Sequence, residues 1–411
     1  MTRTPSTLEL TAVDDIAALQ TIGDAVLVQL PAGITAWAVT GHETIKALLL
    51  NPKVSKDPRQ WPAWTSGRYD DTWISMWVGV VNMLSTSGTD HARLRRLIAP
   101  AFSKPRVNAM LPAIEAIAKE LLDDIDQGEP GTTADLRSTY AHPLPMRVIC
   151  TLFGVPADLH AEVGSLVAAF MDPHADPAAT LGTMRRILEE LIADKRAHPG
   201  NDLTTALVTS RDEETGDRLT EAELIDTLLL VIGAGFETTV HLIGNAIHGV
   251  LTHPDNPAVR EARSGRRSWD TVIEETLRWA PSIAALPMRF ATEDIALPDG
   301  TLIKQGDAIL AVYLGAGRDH RAHGADAHLF DPTRSIGEHL AFGYGVHRCI
   351  GATLARAEAG TALHALFTRF PDLTAAPALG DTEPISGFIA FGRSALPTIP
   401  RPVPADERAV Q

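Results

Sequence analysis

The sequence predicts a mainly α protein with a small β lobe, and three observations support this prediction. The chain has 411 residues, 45% of them hydrophobic, which is enough for one large buried core. Apolar residues recur at three- and four-residue spacing over 108–127, as in a helix with one buried face. Two apolar runs, 25–30 and 34–39, flank the turn residues 31–33 and predict a β-hairpin.

A long helix is predicted in the middle of the chain. Thr220 and Glu223 fit a capping box, in which each side chain bonds the other residue's backbone N–H group. The helix then runs to about Leu251, shortly before Pro254. Its most apolar stretch, 228–236, is too short to span a bilayer.

The domain organisation is predicted to be simple. A second β-rich stretch at 289–313 contains a Pro-Asp-Gly turn, and no internal repeat divides the chain. We expect a single domain over 1–411, whose β-rich part lies mainly at 20–60, at 289–313 and in C-terminal strands. The remainder should be helical.

Charge and cysteine content exclude several classes of protein. The formal net charge of −15 argues against nucleic acid as the main partner. Two cysteines, Cys150 and Cys349, are too few for a secreted fold held by disulfides. The N-terminus, MTRTPSTLEL, lacks the apolar run of a signal peptide. We therefore expect a cytoplasmic protein with no membrane attachment.

The chemistry of the chain centres on Cys349, in 341-AFGYGVHRCIGATLAR-356. An isolated cysteine is often a small buried hydrophobe. It is also a candidate nucleophile with His347 as base, although no third orienting residue is evident. A zinc site needs further cysteine or histidine ligands, which the surroundings do not offer. The remaining alternative is the axial thiolate of a haem iron, to which the porphyrin supplies four other donors.

The residues around the cysteine favour haem. Gly343, Gly345 and Gly351 allow the backbone to turn tightly and approach a flat macrocycle. Backbone N–H groups of such a loop restrain a thiolate's donor strength. Phe342 can exclude water, and a helix starting near Ile350 presents its positive end to the anion.

The segment 342-FGYGVHRCIG-351 resembles the haem-binding signature of the cytochrome P-450 family at every defining position. The resemblance covers nearly the whole chain. It implies the cytochrome P-450 fold with a long central helix over the haem, haem b (iron protoporphyrin IX) as cofactor, and Cys349 as its axial ligand. It also implies cofactor contacts from Phe342, Gly343, His347, Cys349 and Gly351.

The resemblance gives a structural role to Glu275 and Arg278. Residues at i and i+3 share a helix face, and on a surface helix such a pair contributes about 0.3–0.5 kcal/mol. In the family the corresponding pair is buried and stabilises the core beneath the haem. Its role there is structural and not catalytic.

The middle of the predicted long helix contains 234-AGFETT-239, a run of poor helix formers. One interpretation is a notch of small residues for helix packing. In the family the segment is the oxygen-activation groove, where Ala234 and Gly235 border the cofactor and Gly235 leaves room for dioxygen. Glu237 and Thr238 are then the candidate catalytic residues, which deliver protons to the oxygen being activated.

Four side chains are candidates to bind the two haem propionates. His91 and Arg95 are four residues apart and share one helix face. By resemblance, that helix lies beside the propionates, and Arg289 matches the family's propionate arginine. His347 supplies a further donor, so that charge-assisted hydrogen bonds would hold both carboxylates.

The stretch 91–106 is basic and contains no acid. It is either a solvated helix face or a docking surface for a small acidic redox protein. The family's redox proteins imply ferredoxin and ferredoxin reductase as partners, carrying electrons from NAD(P)H. The docking candidates are Arg93, Arg96, Lys104, Arg106 and Arg348.

The segments 54–64 and 95–110 resemble a subgroup of actinobacterial enzymes that hydroxylate macrolides and steroids. One motif departs from the family pattern, because 317-GRDH-320 has Gly317 and His320 where Asn and Pro are commoner. The resemblance implies a pocket for a bulky, mostly apolar substrate. Its candidate lining residues are Val80, Val81, Met83, Leu84, Phe170, Ala234, Ile283, Leu286 and Ile389.

The sequence thus predicts a haem-thiolate monooxygenase that inserts one atom of O2 into a C–H bond of a small molecule. A cysteine-ligated haem sensor or carrier is the alternative, but it would not need the Glu237-Thr238 pair or a docking surface. A cysteine hydrolase using Cys349 and His347 is a third class. It would show no haem absorbance.

Overall fold

The computed structural model describes residues 8–171, 176–211, 215–335 and 337–403, and the side chain of Phe170 lies outside this description. Most of the described chain is helical. The α-helices are α1 (Asp15–Ile22), α2 (His42–Leu50), α3 (Pro62–Thr65), α4 (Ser75–Val78), α5 (Gly88–Ile98), α6 (Lys104–Asp126), α7 (Pro143–Phe153), α8 (His160–Met171), α9 (Pro177–Ala197), α10 (Leu203–Thr209), α11 (Glu221–Thr252), α12 (Pro257–Arg263), α13 (Asp270–Trp279), α14 (Tyr313–Gly317), α15 (His320–His323) and α16 (Ala352–Arg369).

The strands form a small β lobe and two minor sheets. They are β1 (Leu8–Glu9), β2 (Ala25–Leu30), β3 (Ile34–Val39), β4 (Val54–Ser55), β5 (Ala134–Asp135), β6 (Leu286–Ala291), β7 (Ile295–Ala296), β8 (Leu302–Ile303), β9 (Ala308–Ala311), β10 (Thr374–Ala375) and β11 (Pro397–Ile399). The main sheet has the order β1-β2-β3-β9-β6-β4, and β10-β11-β5 and β7-β8 form the minor sheets. The predicted hairpin is confirmed, with β2 and β3 paired antiparallel from Ala25 opposite Val39 to Leu30 opposite Ile34.

Helix α11 is the central element of the helical part. Its first turn contains the predicted capping box, because Thr220 Oγ1 accepts from the Glu223 N–H and the Glu223 carboxylate accepts from the Thr220 N–H. It packs against α7, α9, α13 and α16, and most of its residues are buried. The apolar stretch 228–236 is too short to span a bilayer, but the complete helix of 32 residues is long and apolar enough. However, 67% of its most apolar stretch is buried inside the protein, as in a core helix.

Three apolar cores reflect the division into an α part and a β lobe, and one of them packs α2 and the β7-β8 pair against the second face of the main sheet. The largest core joins α6, α7, α9, α11 and α16, and it includes Cys150, which is fully buried. Another core fills one face of the main sheet and the short helices beside it. The mainly α fold with a small β lobe, predicted from the sequence, is confirmed.

Candidate functional site

An apolar cavity of about 290 Å³ brings together the cysteine loop and the middle of α11. Cys349 lines it together with Phe342, Gly343, His347 and Gly351. From α11, the lining includes Ala234, Gly235 and Thr238. The sequence places these two segments more than 100 residues apart, so only the packing of α11 against α16 and the adjacent loop brings them together.

The cysteine loop adopts a conformation that requires glycine. Gly343 and Gly345 have φ values of 68° and 70°, in the left-handed region that side chains with a Cβ rarely adopt. The turn is closed by a hydrogen bond from the Cys349 N–H to the Phe342 carbonyl, at 2.8 Å. Cys349 is exposed to the cavity. Burial raises the pKa of its thiol, and the Gly351 N–H, which bonds the sulfur, lowers it in part.

A cluster of mostly buried basic side chains lies beside the cavity, which His347 lines. The rings of His91 and His347 are 4.1 Å apart between centroids. Three buried polar atoms at this site have no hydrogen-bond partner among the described residues: His91 Nε2, Arg289 Nη1 and Tyr313 Oη. Lys56 is also buried, and its Nζ donates only to the Pro287 carbonyl, at 3.2 Å.

This basic cluster has no counter-ion among the residues that the structure describes. No described Asp or Glu forms an ion pair with His91, Lys56 or Arg289. Burial, together with the charges of His91, Lys56 and Arg289, lowers the pKa of His347 to about 2. Burial and Arg289 also hold the pKa of Lys56 well below its usual value. Because buried charges are normally paired, the cluster is built to receive an anionic group.

The predicted notch in α11 contains two threonines that bond back to the helix. Thr238 Oγ1 donates to the Ala234 carbonyl at 2.5 Å, and Thr239 Oγ1 to the Gly235 carbonyl at 2.9 Å. Such bonds compete with the helical hydrogen bonds and bend a helix locally. At Gly235 a Cβ atom would lie only 2.8 Å from Ile149 Cδ1, so the missing side chain also allows α7 to pack closely.

Glu237 does not line the cavity and lies in a buried polar cluster beside it. Its Oε1 is 3.1 Å from His241 Nε2 and 3.7 Å from Arg137 Nη2. Its Oε2 has no hydrogen-bond partner among the described residues. Burial raises the pKa of Glu237, but His241, Arg137 and His142 together lower it below its ordinary value. Arg137 is 19% exposed, whereas His241 is 1% exposed, so Arg137 connects the carboxylate to solvent.

The Glu275–Arg278 pair is fully buried, unlike a surface ion pair. Arg278 Nη2 lies 2.6 Å from Glu275 Oε1, and both side chains are 0% exposed. The remaining Arg278 donors bind the carbonyls of Gly317, Ala327 and Leu329. The pair therefore fastens the end of α13 to the chain segment 317–329.

The candidate substrate-lining residues divide into three groups. Val80, Met83, Leu84, Ala234, Ile283 and Leu286 line the cavity. Val81 does not, since its side chain is 58% exposed, and its N–H binds Asp226. Ile389 is also outside the lining, because it is buried in the core of the β lobe. Phe170 falls outside the described side chains.

Comparison with known proteins agrees with this architecture. The profile of the family described as Cytochrome P450 matches residues 267–380. The 2-hydroxy-5-methyl-1-naphthoate 7-hydroxylase of Streptomyces carzinostaticus is 37% identical over 93% of each chain. The 6-deoxyerythronolide B hydroxylase of Saccharopolyspora erythraea is 36% identical over 83% of this chain and 84% of its own. The structure of CYP154A1 from Streptomyces coelicolor A3(2) matches with a TM-score of 0.88 and 43% identity, covering 96% of this chain and 100% of that one.

The fold and its relatives define a haem-dependent oxidoreductase. The chain belongs to the cytochrome P450 family, and it is a P450 monooxygenase with iron protoporphyrin IX as cofactor. The site fits this group, because a thiol and apolar walls line one cavity, and a buried basic cluster that forms no ion pair with a described acid adjoins it through His347. Two members of that cluster, Lys56 and Tyr313, were missed by sequence reasoning, since a single Lys or Tyr carries no motif.

Proposed function

We propose that this enzyme inserts one oxygen atom of O2 into a C–H bond of a bulky, mostly apolar small molecule. The observation that carries the proposal is that Cys349 and the Thr238 notch line one cavity, beside which lies a buried cluster of bases. Haem would supply oxygen activation, with a thiolate ligand that favours O–O cleavage. The protein would position the substrate, exclude water from the site and supply protons.

We assign cofactor-binding residues at three places: the iron, the surroundings of the sulfur and the propionates. Cys349 would ligate the iron, with Phe342, Gly343 and Gly351 around the sulfur. The propionates would accept hydrogen bonds from His91, Arg95, Arg289 and His347, and we add Lys56 and Tyr313 to this set. The orphaned atoms of His91, Arg289 and Tyr313 support the assignment, because each buried donor needs an acceptor.

Proton delivery is assigned to Thr238 and Glu237. The Thr238 hydroxyl faces the cavity, and releasing its bond to the Ala234 carbonyl would free its proton for the oxygen-binding space. Glu237 would pass protons from the solvent side, where Arg137 is partly exposed, towards that hydroxyl. We add His241 as a positioning residue, since it lies 3.1 Å from the Glu237 carboxylate.

Electrons are proposed to come from NAD(P)H through ferredoxin reductase and ferredoxin, in the cytoplasm. Lys104, Arg106 and Arg348 are exposed and are the strongest docking candidates. Arg93 is a weaker candidate because it forms an ion pair with Glu223 at the start of α11. Arg96 is exposed on the same helix as Arg93.

Macrolides and steroids are the favoured substrate classes. The cavity walls contributed by Val80, Leu84, Ile283 and Leu286 are apolar, which suits a substrate with few polar groups. One relative is named for a 6-deoxyerythronolide B substrate, which supports a large ring system. Another relative is named for a naphthoate, so an aromatic acid belongs in the same screen.

The assignment is tested first by Cys349→Ala, with Cys150→Ala as the matched control. Wild-type protein, reduced and treated with carbon monoxide, should show the strong red shift of the main absorbance band of thiolate-ligated haem. Cys349→Ala should stay folded but lose this band position and all turnover. Cys150→Ala should keep both, because Cys150 is buried in the core outside the cavity lining. Turnover by Cys349→Ala would refute the ligand assignment.

A non-catalytic haem sensor is separated from an oxygenase by turnover. The wild-type protein, given ferredoxin, ferredoxin reductase, NAD(P)H and a panel of macrolides, steroids and naphthoates, should form hydroxylated product. Before turnover is measured, a spectral titration should identify substrates by the spin-state change of the haem that occurs when water leaves the iron. A spin-state change without NAD(P)H consumption or product would favour a sensor.

A further inference from the structure

A second cavity, of about 570 Å³, lies apart from the haem site. It is bounded by the start of α1, the last turns of α11, the end of α13 and the segment 380–393. Its lining shares no residue with the lining of the Cys349 cavity. None of the motifs that define the oxygenase site contributes to it.

The inner wall of this cavity holds a guanidinium group fixed in place. Arg318 Nε donates to the Trp279 carbonyl at 3.0 Å. The guanidinium carbon lies 5.8 Å from the Trp279 ring centre and 5.5 Å from the Phe391 ring centre, so aromatic faces hold it on two sides. Burial lowers the pKa of Arg318 to about 10, so the group keeps its charge at neutral pH.

A second guanidinium, that of Arg393, lines the same cavity. Arg393 Nη1 donates to the Thr382 carbonyl at 2.8 Å, and its charge is one of those that lower the pKa of Arg318. Neither arginine forms an ion pair with a carboxylate of the described residues. Like charges brought together in a partly buried space repel each other, and this arrangement is stabilised when an anion lies between them.

The other walls add donors and aromatic surface. The imidazole of His248 lies nearly parallel to the Trp279 ring, with 6.4 Å between the ring centroids. Burial and the charge of Arg393 lower the pKa of His248 to about 4, so it offers a neutral N–H. Three acids, Asp14, Asp381 and Glu383, also line the cavity, but each is exposed. The charge of Asp14 raises the pKa of Arg318, yet it is the weakest of the four influences on that group.

We infer that this cavity binds a small oxyanion, a carboxylate- or phosphate-bearing metabolite, between Arg318 and Arg393. The fork of each guanidinium matches two oxygens of such a group. The site is separate from the oxidation site and does not depend on the function proposed for it. The competing arrangement is a closure of Asp14 onto Arg318, in which the chain would supply its own carboxylate.

The inference is tested by isothermal titration calorimetry of the haem-loaded protein at constant ionic strength, with sodium phosphate and sodium benzoate as separate probes. Saturable binding of one anion per chain by either probe supports the site, and the preferred probe identifies the class. Arg318→Gln and Arg393→Gln should each weaken binding at least tenfold. Arg266→Gln is the matched control, because Arg266 is exposed and outside this cavity, and it should change nothing.

Further variants separate a bound metabolite from a self-supplied carboxylate. If Asp14 competes for Arg318, Asp14→Asn should tighten anion binding. Because Arg318 is partly buried and its loss could unfold the protein, Arg393→Gln and the absorbance spectrum of each variant provide the fold check. Absence of saturable binding in wild type and in Asp14→Asn would overturn the inference. Binding that neither arginine substitution weakens would overturn it equally.

Discussion

Single residues acquire their roles here from neighbours that are distant in the chain. Cys349 by itself is compatible with a core residue or a nucleophile. The buried bases around the same cavity change that balance, because Lys56, His91 and Arg289 form no ion pair with a carboxylate of the described residues. In the proposed assignment, the two propionates of haem would supply the missing anions, and its iron would be the partner of the thiol.

The role of Thr238 can be separated from that of its neighbour. Thr238→Ala should keep haem and substrate binding but raise the peroxide released per product several-fold, because it removes the one cavity hydroxyl to which proton delivery is assigned, while the hydroxyls of Thr239, Ser282 and Tyr313 remain. Thr239→Ala is the matched control, since Thr239 makes the same kind of back-bond one residue further on. Peroxide and product are measured together during NAD(P)H consumption. Equal coupling in both variants would contradict the relay.

His241 is expected to act on proton delivery through Glu237. His241→Asn removes a neighbour that holds the Glu237 pKa down, so that pKa should rise. A depressed carboxylate pKa means that the ionised form persists until the pH falls through that value. The acidic limb of the coupling profile should therefore move to higher pH in the variant.

The control for this experiment is His364→Asn, on the exposed face of α16. It should leave the pH profile unchanged. Glu237→Gln should abolish the acidic limb altogether, which identifies Glu237 as the titrating group. A His241→Asn profile that coincides with wild type would show that His241 has no influence on the relay.

At the scale of elements, α13 and α14 are joined through the Arg278 side chain and backbone. Arg278 Nη1 donates to the Gly317 carbonyl at 2.6 Å. In turn, a Cβ atom added at residue 317 would lie only 1.9 Å from the Arg278 carbonyl oxygen. The departure of Gly317 from the family's commoner Asn is therefore a packing requirement of this chain. The two helices approach more closely than any side chain at 317 would allow.

Gly317→Ala should destabilise the protein by about 3 kcal/mol or more, the upper range for overpacking against a backbone that cannot yield. Gly182→Ala is the matched control in α9, where a Cβ would meet nothing within 4 Å. That change should stabilise the protein by about 0.5–1 kcal/mol, as Ala does in an exposed helix. Urea unfolding of the haem-loaded proteins measures both. Equal stability of the two variants would contradict the close approach.

At the scale of the whole molecule, charge is distributed unevenly. The net charge of −15 would repel an acidic ferredoxin. Lys104, Arg106 and Arg348 are exposed exceptions to this acidity, and Arg348 is next to Cys349 in the chain. A local basic surface on an acidic protein would steer an acidic partner to the side where the electron must enter.

Arg106→Glu and Arg348→Glu should each lower ferredoxin-supported turnover at low salt by about tenfold, with the loss shrinking as the ionic strength rises. The reason is that rim charges act mainly on association rate. Arg68→Glu, an equal charge reversal at an exposed position beside the β2–β3 turn, is the control. Turnover is measured against ferredoxin concentration. An equal effect of all three reversals would show a net-charge effect and not a docking surface.

Local sequence patterns predicted some features of the structure and missed others. The hairpin at Ala25–Val39 and the capped helix Glu221–Thr252 were predicted almost to the residue, since both depend on local spacing and turn chemistry. The cysteine loop was predicted from its glycines. Val81 and Ile389 were expected in the cavity and lie outside it, because the facing direction of a loop residue is set by its packing partners.

The sequence by itself determined the family, the helical architecture and the segments that carry the chemistry, because those are written in contiguous motifs. Only the tertiary structure decided which isolated side chains join them. Lys56 and Tyr313 at the basic end of the cavity, and His241 and Arg137 beside Glu237, belong to no motif. The physical reason is that a basic side chain needs a specific partner only when it is buried away from solvent. Burial is a property of the folded chain, so a local motif does not contain it.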